Sequence, residues 1–298
     1  MDVISSLPVI AERLSARACA VGLSVADLEA ACPWLCHQII RDAATPELWG
    51  LWGRSTNLDE LAGVPIVEPS ILSAIGELAH VSMVGPGVHA GLQHTYGYLL
   101  STIQTPFGYK RDRWLRPWLA QGFGLPLDAL VPNPTEGTLL SNATLFAGMM
   151  AFRGDKMAMH ALLRIASSAA TSLADISRTR FEQIRIVETL FLHDSAGRPY
   201  TLKLHSDLVP FPNPVALTAE KCLLVYSIQD SRQPSPQLTT FFPITQQFLL
   251  EMTQPDRFQR DVEIRLRFNA FVPGLTNASL TGERTLLCFD PASFRIGD

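Results

Sequence analysis

The sequence predicts an α+β protein: a mainly helical N-terminal part followed by a mainly antiparallel β-sheet of about six strands. Two patterns carry this expectation. Apolar residues recur at helical spacing through much of residues 1–180, whereas period-two runs rich in β-branched and aromatic residues fill 181–298. Turn residues between successive runs in the second part join them as hairpins. The two regions are either separate domains or one compact unit.

In the first part, 8–21 carries apolar side chains at helical spacing, and Ser24 caps a short helix over 25–31. Asn57-Leu58-Asp59-Glu60 has the character of a capping box. Pro69 opens a helix over 71–81, where its missing N–H costs nothing, and Gly85-Pro86-Gly87 is expected to stop it. A short amphipathic segment follows at 114–121, interrupted by Pro117. Two helices, 139–152 and 156–176, are separated at Arg153-Gly154-Asp155.

In the second part, 183–193 and 200–208 are hairpin partners across the turn Asp194-Ser195-Ala196-Gly197. Pro210, Pro212 and Pro214 prevent a continuous ladder beyond it. A second hairpin joins 221–228 to 238–242, a short helix covers 245–252, and strands at 262–270 and 285–289 complete the sheet.

The chain has 298 residues, 47% of them hydrophobic and 17% charged, with a net charge of −4. Such a length supports a substantial core, and the charge gives no general attraction to nucleic acid or anionic membranes. Arginine outnumbers lysine twenty to four, a bias toward planar, bidentate ion pairing. The N-terminus lacks a basic segment before its apolar residues, and the apolar window 139–152 is too short to span a bilayer. A soluble, cytoplasmic protein is the expectation. Cys32 and Cys36 precede His37, but no second cysteine pair completes a tetrahedral metal shell, so both read as buried free thiols. The sequence assigns no cofactor. Phosphate-loop, dinucleotide-binding, serine-elbow and zinc-protease signatures are missing.

Two clusters carry candidate chemistry. The first lies at 89–118, where His89, His94, Tyr96, Tyr98, Lys110, Arg111, Arg113 and Trp114 crowd a sparsely charged chain. His89 and His94 are five apart, about 140° on a straight helix, so they converge only if the segment bends. Two histidines without a clear third ligand make a weak metal signal, and no metal site is assigned. The cations and aromatic rings beyond them suit a small anion, with an aromatic ring as a further option.

The second cluster is one face of the sheet. Strand alternation places Thr201, Lys203, His205 and Asp207 opposite Tyr200, Leu202, Leu204 and Leu208; it likewise places Glu263, Arg265 and Arg267 on a polar face. Lys203, His205, Arg265 and Arg267 would converge on an anion, with Asp207 setting the tautomer of His205 or raising its pKa. The plain alternative is an ordinary solvated sheet face. Glu188 falls in register with Ile186 and Leu190, so it is expected to be partly buried.

The leading expectation is an enzyme acting on a small anionic molecule. His205, or one of His89 and His94, moves the proton; Arg111, Arg113, Arg265 and Arg267 clamp the anion. Tyr96 or Tyr98 orients the ligand, which lies between the two clusters. Two alternatives stay open. One is a metal-independent ribonuclease-like enzyme using the sheet face, although nucleic acid is a poor match to the net charge. The other is a non-catalytic binding or assembly protein, or a homo-oligomer, with Trp49 and Trp52 as its partner surface.

Overall fold

The computed structural model describes residues 6–59, 63–82, 87–105, 108–109, 111–113, 118–124, 139–152, 155–169, 183–212, 220–253 and 287–289. The fold is α+β, with helices preceding an antiparallel sheet. The chain divides into two compact units: Met1–Ala120 with Pro126–Thr144, and Gln121–Leu125 with Leu145–Asp298. The division by secondary-structure type at residue 180 is a different partition. Much of the helix Leu139–Ala151, and all of Lys156–Ala169, falls in the second unit.

The first unit contains α1 (Leu7–Val21), α2 (Val25–Ala31), α3 (Pro33–Ala43), α4 (Pro46–Trp49), α5 (Pro69–Leu78) and α6 (Gly91–Leu99). Three begin on proline at the first turn, where no backbone donor is lost. Ser24 caps α2 by accepting from Asp27 N, while the Asp27 carboxylate accepts from Ser24 N at 3.0 Å. Helix α5 sits at the centre, against α1, α2, α3 and α6. Its close approach to α6 depends on two glycines: a Cβ at Gly76 would meet Gln93 Nε2 at 2.6 Å, and one at Gly97 would meet Leu72 Cδ2 at 2.8 Å.

Helix α5 ends earlier than expected, before Gly85-Pro86-Gly87. His80 adopts φ 53°, and Val81 N donates to Gly76 O at 2.9 Å while His80 N donates to Glu77 O at 3.2 Å. That pair of bonds is a Schellman closure, normally built on glycine. Asn57 also departs from its expected helix-capping role. Its side chain donates to Val67 O at 2.7 Å and accepts from Val67 N at 3.0 Å, so it splints two loop strands. Short strands β1 (Arg54–Thr56) and β2 (Val88–Ala90) pair antiparallel nearby, as do β3 (Gln104–Thr105) and β4 (Gly108–Tyr109). Neither ribbon has the run length that sequence periodicity detects.

Helix α7 (Trp118–Gly122) follows, then α8 (Leu139–Ala151) and α9 (Lys156–Ala169). The sheet of the second unit contains β5 (Gln183–His193), β6 (Pro199–Pro210), β7 (Glu220–Asp230), β8 (Gln237–Thr245) and β9 (Leu287–Phe289), ordered β8-β7-β6-β5-β9. All neighbours are antiparallel. The strand expected at 262–270 lies outside the described residues.

The β5–β6 turn is closed by Asp194, whose Oδ1 accepts from Ala196 N and Arg198 N, both at 2.9 Å, while Gly197 takes φ 76°. One sheet face is apolar: Ile186, Leu208, Cys222, Leu224 and Ile244 form a cluster against which Phe248 and Leu249 of α10 (Gln246–Thr253) pack. Leu190, Leu202, Leu204 and Ile228 continue it. Glu188 shares this face and is buried, as its alternation implied.

Candidate functional site

The two histidines of the first unit meet because the segment holding them is not one helix. His89 belongs to β2 and His94 to α6; Gly91, at φ 55° and with Trp49 packed close by, turns strand into helix within a residue. The Nδ1 atoms stand 3.3 Å apart, so one ring donates and the other accepts. Tyr98 lies edge-on to both rings at 4.4 and 5.5 Å, and Trp52 lies 5.2 Å from His94. All four side chains are buried.

The rest of this cluster is committed to structure. Tyr96 is buried and donates to Asp42 Oδ2 at 2.6 Å; burial first, then the Asp42 charge, hold its hydroxyl well above the ordinary tyrosine range. It has no hydroxyl facing solvent for a ligand, which corrects the expectation that it orients one. Arg111 is turned inward as well: it donates to Ser101 O at 2.6 Å and its guanidinium lies 4.2 Å over the Tyr109 ring. Arg113 belongs to the 3-10 turn Arg111–Arg113; Lys110 and Trp114 lie outside the described residues.

Trp49 and Trp52, expected as an exposed partner surface, are only 8% and 5% exposed. Trp49 donates to Asp42 O at 2.7 Å and stacks on Trp52. The reason is tertiary: Trp49 packs close to Gly91 and Trp52 against His94, both of α6. The Cys32 and Cys36 thiols are free and buried, as expected, and burial pushes them up to about 11 and about 12. Among the described residues, no group of three or more His, Cys, Asp or Glu side chains could hold a metal ion. Nor is any described helix long and apolar enough to cross a membrane.

The second unit presents a mixed sheet face whose rows can be read from the register. Gln183, Arg185, Val187, Thr189 and Phe191 of β5 alternate away from the apolar face, and Asp207, His205, Lys203 and Thr201 of β6 stand opposite four of them. This face divides along its length. Asp207, Val209, Leu223 and Val225 are buried at one end; Lys203 and Phe191 are exposed at the other. His205 stands half-buried at the border.

The buried end is an ion-pair network. Asp207 Oδ1 accepts from Arg185 Nε at 2.6 Å and Gln183 Nε2 at 2.7 Å, and Oδ2 accepts from Arg185 Nη2 at 2.9 Å. Arg185 Nη2 also donates to Ala151 O at 2.5 Å, and Gln183 Nε2 to Met150 O at 3.1 Å. These carbonyls belong to the last turn of α8, which lacks intrahelical donors there; a guanidinium both caps it and opposes its dipole. The network ties α8 to the sheet.

Asp207 therefore serves Arg185, and the rise expected for His205 gives way to a fall. Burial first, then the charges of Arg185 and Lys203, push the His205 imidazole down to about 4. Arg265 and Arg267 lie outside the described residues. Sequence reasoning missed Arg185, although counting outward from the Asp194–Arg198 turn places it directly against Asp207. Its alternation with Ile184 and Ile186 was the available signal.

Comparison with protein-family models, with curated proteins and with solved structures gives no significant match. The functional reading rests on this chain's own residues.

Proposed function

We propose that this protein is an acid–base enzyme for a small anionic molecule, with His205 as proton acceptor and Lys203 as counter-charge. The observation that carries the reading is the position of His205, half-buried at the edge of the dry ion-pair network, where the charges of Arg185 and Lys203 both act on the ring. Asp207 is neutralised by Arg185, so a bound anion would be the charge this border most favours.

The chemistry follows from electrostatics. An imidazole held down to about 4 is unprotonated at neutral pH and ready to accept a proton, but it is a weak base. An anion docked beside Lys203 adds negative charge close to the ring and raises its proton affinity toward the working range. The substrate thereby strengthens the base that acts on it. Phe191, 55% exposed at the same open end, offers a ring on which an aromatic substrate could lie.

Titration of the His205 ring by NMR tests this directly, with inorganic phosphate as the probe. Saturating phosphate is expected to raise its apparent pKa by about one unit, and Lys203→Ala to weaken that phosphate affinity about tenfold. A His205 titration indifferent to phosphate would overturn the reading. We read the His89–His94 pair as structural, because it is buried beneath Tyr98 and Trp52.

A further inference from the structure

Ser227 of β7 stands directly across from His205 of β6 on the mixed face. Such neighbours hold their Cβ atoms about 4.5–5.5 Å apart, within side-chain reach. One strand further on, the ladder jumps: Tyr226 pairs with Thr240 and Ser227 with Leu238, leaving Thr239 as the inserted residue of a bulge. His205 and Ser227 thus stand side by side on the mixed face, and the bulge residue Thr239 follows Leu238, the partner of Ser227, on β8.

Ser227 and Thr239 are both buried, at 0% and 9% exposure. Neither Ser227 Oγ nor Thr239 Oγ1 has a hydrogen-bond partner among the described residues. An unpaired buried hydroxyl is destabilising, and alanine or valine would fill either position without that penalty. An unpaired buried hydroxyl across from a half-buried imidazole is the arrangement expected where stability is given up for a site. Bulges also re-aim side chains where pairing must yield to function.

We infer that Ser227 is the positioning residue of the His205 site. When an anion docks beside Lys203, Ser227 Oγ accepts the hydrogen bond from the inward ring N–H of His205. The outward nitrogen then carries the lone pair toward the ligand. That bond fixes a single tautomer. Hydrogen bonds of this kind tighten in the liganded state. The inference rests on the reading of His205 as proton acceptor.

The ring nitrogens of His205 report the tautomer in NMR spectra of the full chain, again with inorganic phosphate. Wild type and Ser227→Thr are expected to favour one tautomer about fivefold or more when phosphate is bound, and Ser227→Ala to show a mixture. The thermal midpoint of Ser227→Ala without phosphate is expected to stay level or rise. An unchanged tautomer ratio in Ser227→Ala overturns the inference, as does a midpoint that falls as if a made hydrogen bond were lost. If phosphate leaves wild-type His205 undisturbed, the proton-acceptor reading itself fails. If phosphate acts on His205 normally and Ser227→Ala keeps the wild-type tautomer ratio, the role of Ser227 alone is lost.

Discussion

His205 makes a stability statement as well as a chemical one. Its pKa falls from 6.5 to about 4 on folding, so the unfolded chain takes up a proton that the folded chain refuses. Above 6.5 neither state is protonated and the residue contributes nothing to pH dependence. As pH drops from 6.5 to 4, stability falls by roughly 2–3 kcal/mol. Urea unfolding across that window should show the loss in wild type and a shallower slope in His205→Gln. Two residues away, Asp207→Asn leaves Arg185 with a buried, weakly matched charge. A destabilisation of about 3–5 kcal/mol is expected by chemical denaturation. Replacing both partners with apolar residues of similar volume should recover much of it, because the desolvation of both charges is then avoided.

Local chemistry decides how well each element could be foreseen. The Ser24 cap of α2 and the turn at Asp194-Ser195-Ala196-Gly197 depend on side chains within a few residues, and both formed as expected. The end of α5 did not follow its glycine signal, because the chain closes on His80 in the left-handed region. His80→Gly relieves that conformation and should stabilise the protein by about 0.5–1 kcal/mol, visible as a raised thermal midpoint. A falling midpoint would mean that the His80 side chain holds something glycine cannot replace. Asn57 departs from its capping pattern for the opposite reason. Its partner, Val67, is ten residues away, so no capping pattern could disclose it. Asn57→Ala leaves a buried donor and acceptor of Val67 unmatched and should cost about 1–3 kcal/mol, measurable by denaturant unfolding.

At the scale of the molecule, net charge sets what the protein avoids. With −4 overall, binding of single-stranded RNA at about 0.15 M salt is expected to be undetectable at low micromolar protein by fluorescence anisotropy. Tight, salt-sensitive binding would instead favour the ribonuclease-like reading. The order of helices and strands, the β5–β6 and β7–β8 hairpins, and the polar alternation of Lys203, His205 and Asp207 were all legible in the chain. Periodicity and turns act over a few residues, so the sequence by itself determined them. Only the tertiary structure decided which side chains remained available. It buried Trp49, Trp52, Tyr96 and Arg111, matched Asp207 to Arg185, and set Ser227 across from His205. Burial and cross-strand partnership are properties of packing between distant segments. The same histidine that alternation marks as polar resists protonation down to about pH 4 only because packing buries it near the charges of Arg185 and Lys203.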